Sequence, residues 1–176
     1  MTRPRPDDPA ALLACIGLGA NLGDAAATLD AACAALATLP QTAWVVASDR
    51  WRSRPVEASG PDYLNAVACV RTRLSPEALL DALQAIELAH GRERPYLNAP
   101  RTLDLDLLLH GDLQRHTARL MLPHPRLADR AFVLLPLLQV CAALPGQIRL
   151  PDDRAGGERW LERARRLAAA QGIEPV

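Results

Sequence analysis

Tyr63-Leu64-Asn65-Ala66-Val67-Ala68-Cys69-Val70-Arg71-Thr72-Arg73-Leu74 runs straight into Ser75-Pro76-Glu77-Ala78-Leu79-Leu80-Asp81-Ala82-Leu83-Gln84-Ala85-Ile86-Glu87. In the first part Leu64, Ala66, Ala68, Val70 and Thr72 oppose Asn65, Val67, Cys69, Arg71 and Arg73, a period of two that predicts a strand. From Ser75 the period lengthens, and Leu79, Leu80, Leu83 and Ile86 share one face of a helix. Ser75 is a natural N-cap, Pro76 suits the first helical position, and Glu77 complements the helix dipole. Gly91 offers a C-terminal stop.

The same reading extends in both directions. Upstream, Leu12 to Leu18 is a short apolar run consistent with a buried strand, and Asn21-Leu22-Gly23-Asp24 breaks it. Ala25 to Leu39 is an alanine-rich helix with Leu29, Cys33, Leu36 and Leu39 at helical spacing, ended by Pro40. Ala43 to Ser53 has β-type composition, and Pro55, Gly60 and Pro61 mark a loop after it. Downstream, Arg92 to Arg101 is an irregular arginine-bearing loop. Leu103 to Leu109 is a strand ended by Gly111. Leu122-Pro123-His124-Pro125 is a rigid turn, an apolar segment spans Phe132 to Leu138, and a last helix runs from Glu158 to Gln171 with Gly172 as its cap. The order is βαββαβ, the split βαβ of a ferredoxin-like α+β fold with an antiparallel sheet. Its two helices cover one sheet face, and the C-terminal additions are expected to put helices on the other. Residues 1–10, rich in proline and charge, read as a disordered arm, and 11–176 as a single domain.

Composition narrows the function. Twenty basic residues balance twenty acidic ones, so attraction to nucleic acid or to an anionic membrane has no support. All the basic side chains are arginine, since the chain has no lysine. The cysteines Cys15, Cys33, Cys69 and Cys141 form no C-x-x-C pair and read as buried free thiols in a reducing compartment. Leu12-Leu13-Ala14-Cys15 lacks the apolar stretch that a secretory signal requires, because Pro4, Pro6, Asp7, Asp8 and Pro9 precede it. A cytoplasmic monomer is expected.

The chemistry centres on Leu103-Asp104-Leu105-Asp106-Leu107. Residues two apart on a strand face the same side with Cα atoms roughly 6.5–7 Å apart, so the aspartates project together and the leucines enter the core. Side-by-side carboxylates repel, and divalent cations relieve that repulsion; a pair of Mg²⁺ ions in such sites lies about 3.5–4 Å apart. The plainer alternative is a solvated strand face, the common fate of an isolated D-x-D. Arg92, Arg94 and Arg101 just upstream favour the metal, since phosphoryl-type transfer needs cations on bridging oxygens and guanidinium forks on the outer ones. Gly17-Leu18-Gly19-Ala20-Asn21-Leu22-Gly23 is not a dinucleotide fingerprint, because its third glycine comes one residue late. Without lysine there is no P-loop either.

Taken in order, these segments resemble the 6-hydroxymethyl-7,8-dihydropterin pyrophosphokinases of folate biosynthesis. The resemblance lies in Ile16-Gly17-Leu18-Gly19-Ala20-Asn21-Leu22-Gly23-Asp24, Pro61-Asp62-Tyr63-Leu64-Asn65-Ala66-Val67, Ile86-Glu87 with Gly91-Arg92, Pro100-Arg101-Thr102-Leu103-Asp104-Leu105-Asp106, Leu122-Pro123-His124-Pro125-Arg126-Leu127, and Arg130-Ala131-Phe132-Val133-Leu134. It covers about Leu12 to Ala143. It implies transfer of pyrophosphate from ATP to a pterin alcohol, with AMP released. Asp104 and Asp106 would hold two Mg²⁺ ions. Arg92 and Arg101 would grip the ATP phosphates, assisted by His124 and Arg130, with Gln84, Glu87 and Arg119 on the nucleotide side. Asn65 would pair with the pterin edge, Tyr63 and Phe132 would flank the ring, and Ser53 and Val56 would complete that pocket. An asparagine amide offers both a donor and an acceptor, and aromatic rings stack on flat heterocycles, so the residue types suit those roles. Outside the resemblance, Tyr63 and Phe132 read as ordinary core residues.

The chain departs from the family at Ala20, Arg54, Glu57, Asn98 and Met121. Asn98 stands where an aromatic side chain is common, in a loop expected to close over the reactants. A divergent paralogue that binds pterin or nucleotide without transferring pyrophosphate is the rival reading, and AMP formation separates the two. A ferredoxin-like RNA-binding module would want a basic sheet face studded with aromatics, which this sequence lacks.

Overall fold

The computed structural model describes Pro4, Asp8 and residues 10–55, 60–91, 102–151 and 159–176. Strand β1 (Leu12–Ala20) leads to helix α1 (Ala25–Thr38), whose N-cap Asp24 accepts a hydrogen bond from the Ala27 N–H at 3.0 Å. Strands β2 (Thr42–Ala47), β3 (Trp51–Ser53) and β4 (Tyr63–Thr72) follow, then α2 (Pro76–Ala89) and β5 (Asp104–His110). Beyond these lie the short ladder of β6 (Arg115–His116) and β7 (Met121–Leu122), then α3 (Ala131–Ala143), α4 (Trp160–Gln171) and β8 (Glu174–Pro175). The main sheet runs β5-β1-β4-β3-β8, with β2 also on β4, and every pairing is antiparallel. This is the ferredoxin-like α+β arrangement read from the sequence.

Alternation along β1 and β4 sorts the side chains into two cores. Ala14, Ile16, Leu18, Ala20, Ala68 and Val70 pack under α1 and α2 against Leu29, Leu36, Leu79, Leu83 and Ile86. Leu13, Cys15, Val67 and Cys69 face α3 and α4 and meet Val133, Leu134, Leu137, Val140 and Ala164. Burying one such leucine contributes about 1.5–3 kcal/mol, so both faces need their cover. Cys15 and Cys69 are direct neighbours across β1 and β4, with Sγ atoms 3.2 Å apart. Their shared hydrogen bond and then burial push the Cys15 thiol well up, and burial first of all pushes Cys141 up to about 11. The four cysteines are free thiols, with Cys15 and Cys69 buried and Cys33 and Cys141 half-buried.

Two local features differ from the sequence pattern. The stretch expected as one strand from Ala43 to Ser53 is two. Ser48 lies between them, where its N–H donates to the Val67 carbonyl at 2.9 Å and its hydroxyl accepts from the Val67 N–H at 3.0 Å. A register shift between Trp44 and Val46 adds to the bend. In β5 the regular alternation stops: Cys15 pairs with Leu109 but Ile16 pairs with Leu107, leaving Leu108 as the extra residue of a bulge. Leu105 and Leu107 consequently join the α1/α2 core, while Leu108 and Leu109 both join the α3/α4 core.

The helix ends follow their residues. Ser75 Oγ accepts from the Ala78 N–H at 3.1 Å at the start of α2. Gly172 closes α4 in the left-handed conformation, φ 63°, that glycine adopts without strain. The observed start of α4 is Trp160; Glu158 lies outside the described residues, as does most of the 1–10 arm. The Leu122–Pro123 peptide bond is cis, and the His124 N–H after it donates to the Leu108 carbonyl at 2.9 Å, tying the turn to β5. Among the described residues no helix is long and apolar enough to cross a membrane.

Candidate active site

Sheet register brings the motif residues into one row. Asp104 pairs with Gly19 across β5 and β1, Gly19 with Asn65 across β1 and β4, and Asn65 with Trp51 across β4 and β3. The adjacent row on that face sets Asp106 opposite Gly17 and Gly17 opposite Val67. Directly opposed residues share a sheet face, so the two aspartates stand beside a strip whose central strand has only glycine hydrogens. A β-carbon at Gly19 would meet Asn65 Oδ1 at 3.5 Å and both Asp104 Cβ and Tyr63 Cδ1 at 4.0 Å. Asn65, Tyr63 and Asp104 therefore converge on a bare patch of backbone. The sequence pattern yields the aspartate pair but gives the glycines no role beyond failing a nucleotide fingerprint.

The residues expected on the pterin side are tied down by hydrogen bonds. Asn65 is buried, and its Nδ2 donates to Ser53 Oγ at 2.9 Å and to the Trp51 carbonyl at 3.2 Å. With both amide protons committed, Oδ1 is the group left toward Gly19, so Asn65 presents an acceptor rather than the mixed edge expected of a free amide. Ser53 is buried and pairs in register with Tyr63. Asn21, also buried, donates to the Pro61 carbonyl at 3.2 Å and so anchors the approach to β4. Phe132, the second residue of α3, is half-buried, with the Arg130 guanidinium carbon 5.5 Å from its ring centre, within cation–π range.

On the other side of the aspartates the cationic groups gather. Arg130 lies 3.6 Å from Asp106 in an ion pair. Burial is the largest influence on His124 and lowers its pKa. Asp106 pulls it back up, while Arg130 and Arg126 reinforce the lowering. Its Nδ1 accepts from the Arg126 N–H at 3.2 Å, so the neutral ring carries its proton on Nε2. His124, Asp106, Leu105, Leu80, Arg119 and Met121 help line a cleft of about 380 Å³.

The remaining expected residues fall out unevenly. Arg119 is exposed on the cleft and paired with Asp81 of α2. Gln84 is exposed on α2, outside the cleft lining. Glu87 is buried, and its Oε1 accepts from the Leu105 N–H at 2.7 Å, between the two aspartates. It thus grips the strand that carries them, a contact no motif indicates. Arg92, Arg101 and Val56 lie outside the described residues, as do Glu57, Arg94 and Asn98.

The donor chemistry fits magnesium. Asp104 and Asp106 are half-buried carboxylates on one face, and Mg²⁺ is commonly held by one or two carboxylates together with substrate phosphates and water.

The model of the 7,8-dihydro-6-hydroxymethylpterin-pyrophosphokinase (HPPK) family matches residues 15–142. A relative from Pseudomonas aeruginosa, 2-amino-4-hydroxy-6-hydroxymethyldihydropteridine pyrophosphokinase, is 45% identical over 140 residues, which make up 79% of this chain and 84% of the relative. One from Methylorubrum extorquens with the same description is 38% identical over 162 residues, covering 92% of this chain and 96% of the other. Among solved structures, a Plasmodium falciparum HPPK-DHPS with pterin and p-hydroxybenzoate superposes with a TM-score of 0.63 at 11% identity, covering 91% of this chain. The chain spans 44% of that longer protein, and the likeness is one of fold. With 128 consecutive residues matched, from 15 to 142, the chain belongs to the 7,8-dihydro-6-hydroxymethylpterin-pyrophosphokinase family.

Proposed function

We propose that this chain transfers the β,γ-pyrophosphoryl group of ATP to the hydroxymethyl oxygen of 6-hydroxymethyl-7,8-dihydropterin, releasing AMP in folate biosynthesis. The observation that carries the reading is the paired carboxylates of Asp104 and Asp106 beside the bare Gly19 backbone and the Asn65 amide. A flat heterocycle laid on that strip would meet Asn65 Oδ1 along its edge, with Tyr63 and Phe132 at its faces and Ser53 fixing the amide from behind. Val56 belongs to the same pocket in this reading. The pterin hydroxymethyl oxygen then gives up its proton to solvent and attacks the β-phosphorus in line, the bond from that phosphorus to the bridging oxygen of the α-phosphate breaks, and AMP departs with the bridging oxygen.

Asp104 and Asp106 would hold two Mg²⁺ ions, which when bound supply charge neutralisation at the phosphate oxygens and lower the pKa of the attacking alcohol. The ion pair of Arg130 with Asp106 and its place over the Phe132 ring support its reading as a phosphate-binding residue. His124 offers an Nε2–H donor there, and because burial favours its neutral form it donates without adding charge. Arg92 and Arg101 complete the grip on the phosphates, with Gln84, Glu87 and Arg119 on the nucleotide side. Positioning and charge compensation account for most of the rate in such transfers. Activity by a monomer, in the cytoplasm, as one domain over 11–176, belongs to the same reading.

The test is AMP release in the presence of ATP, the dihydropterin and Mg²⁺, for the unmodified chain beside Asp104→Ala and Asp106→Ala. Turnover should require all three components and vanish almost completely in both variants, with unchanged circular dichroism. Normal turnover in either variant would remove the assigned metal role.

A further inference from the structure

The family match ends at residue 142, yet the elements beyond it are fastened to the segment that carries Arg130. Gln171, the last residue of α4, lays its amide along residues 129–131. Its Nε2 donates to the Asp129 carbonyl at 3.0 Å, and its Oε1 accepts from the Ala131 N–H at 2.9 Å. Arg130, between them, is extended, with φ −116° and ψ 109°. In extended backbone the carbonyl of the preceding residue and the N–H of the following one point the same way, so one carboxamide can engage both as a neighbouring strand would. Arg130 is also the N-cap of α3 and gives that helix no side-chain acceptor; Gln171 supplies one.

The clamp has a firm base. Arg163, two turns earlier on α4, donates from Nε to the Ala128 carbonyl at 2.7 Å and reaches the Asp129 carboxylate at 3.3 Å. After Gly172 the chain pairs with β3, where the Val176 N–H donates to the Arg50 carbonyl at 3.0 Å. Trp160, Ala164 and Leu167 pack α4 into the α3 core without help from Gln171. The two amide bonds therefore act on the direction of the Arg130 backbone more than on the docking of α4. That direction matters because the Arg130 side chain, only 25% exposed, has among its contacts Asp106 at 3.6 Å and the Phe132 ring at 5.5 Å. A small tilt at its Cα displaces both.

We propose that Gln171 is a positioning residue for Arg130, bracketing its peptide groups so that the guanidinium meets the phosphates in register with Asp106. The proposal rests on the reading of Arg130 as a phosphate-binding residue. Gln171→Met keeps the length of the side chain and loses both bonds, and Gln171→Glu keeps the acceptor alone. Each is made alone and combined with Arg130→Ala. Steady-state AMP release, equilibrium affinity for α,β-methylene-ATP with Mg²⁺, and thermal unfolding are measured for every protein.

In the unmodified background Gln171→Met should lower kcat and analogue affinity about tenfold, with the pterin KM held within about twofold. Gln171→Glu should fall between. In the Arg130→Ala background the same changes should cost less than about twofold, while any loss of thermal stability stays the same. Equal losses of kcat and affinity in both backgrounds overturn the proposal in favour of a structural tether, and no loss in the unmodified background overturns it outright. Coupling in affinity with no AMP release from any protein upholds the clamp and discards the pyrophosphokinase reading; AMP release without coupling does the reverse. An unmodified chain that neither turns over nor binds the analogue overturns both.

Discussion

A β-carbon built on Gly19 would lie 3.5 Å from Asn65 Oδ1 and 4.0 Å from Asp104 Cβ and Tyr63 Cδ1, all ordinary contact distances. The fold can therefore take an alanine there, and alanine is less costly than glycine within a strand by about 0.5–1 kcal/mol. A flat ligand resting on that backbone cannot share the space with a methyl group. Gly19→Ala is expected to leave the melting temperature unchanged or slightly raised while lifting the pterin KM about tenfold, with the ATP KM steady. Unfolding curves beside two-substrate kinetics check it, and an unmoved pterin KM would show that the ligand lies elsewhere. Asp104 and Asp106 could be paired from sequence because a strand has a fixed period of two. Gly19 could not, because its value depends on neighbours brought by two different pairings. The committed donors of Asn65 were hidden for the same reason: Ser53 and the Trp51 carbonyl arrive through the β3–β4 register.

Helix α2 was legible almost to the residue, since its cap, its first-turn proline and its apolar stripe are local signals that agree. Ser75→Ala should cost about 1 kcal/mol, about 2–4 °C in melting temperature for a domain of this size, with kcat unchanged. Its other end holds the strand that carries Asp104 and Asp106. Glu87→Leu leaves the buried Leu105 N–H without its acceptor, a loss of about 1–3 kcal/mol, and frees the strand segment between the aspartates. It should lower both stability and turnover, whereas Glu87→Gln, which keeps an acceptor oxygen, should restore most of both. Equal turnover in the two variants would confine Glu87 to a different role. The bulge in β5 and the break between β2 and β3 escaped the pattern because each is set by a partner strand: Cys15 and Ile16 fix the first, Val67 the second.

At the scale of the molecule, two cores share one sheet, and the C-terminal additions form the layer that completes the second. The helical part of that layer announced itself through Gly172, but β8 contains Pro175 and has no strand signal of its own; it exists because the β3 edge accepts it. The layers also bury a titratable group outside the candidate site. His110 ends β5 fully inside the protein, and its Nε2–H donates to the Leu74 carbonyl at 3.1 Å, joining the edge strand to the turn before α2. Burial dominates and lowers its pKa below 6.5. The bond to Leu74, a contact with its own backbone and the nearby Glu77 act upward, and Arg115 acts with burial. Among the described residues its other ring nitrogen has no hydrogen-bond partner of ordinary geometry beyond its own backbone, so a second proton would be poorly shared.

A depressed folded-state pKa means the unfolded chain binds the proton first. The contribution of His110 is therefore complete above the unfolded value of about 6.5 and is lost as pH falls through the folded one. Denaturant unfolding followed from about pH 7.5 down to about pH 5 should show stability falling more steeply in the unmodified chain than in His110→Gln, which keeps an amide donor for Leu74 but cannot titrate. His90, His116 and His124 are present in both proteins and cancel in the difference. The substitution lowers stability at every pH through imperfect packing, so the slope carries the result rather than the level. Parallel curves would mean that His110 takes its proton as readily inside the fold as outside it.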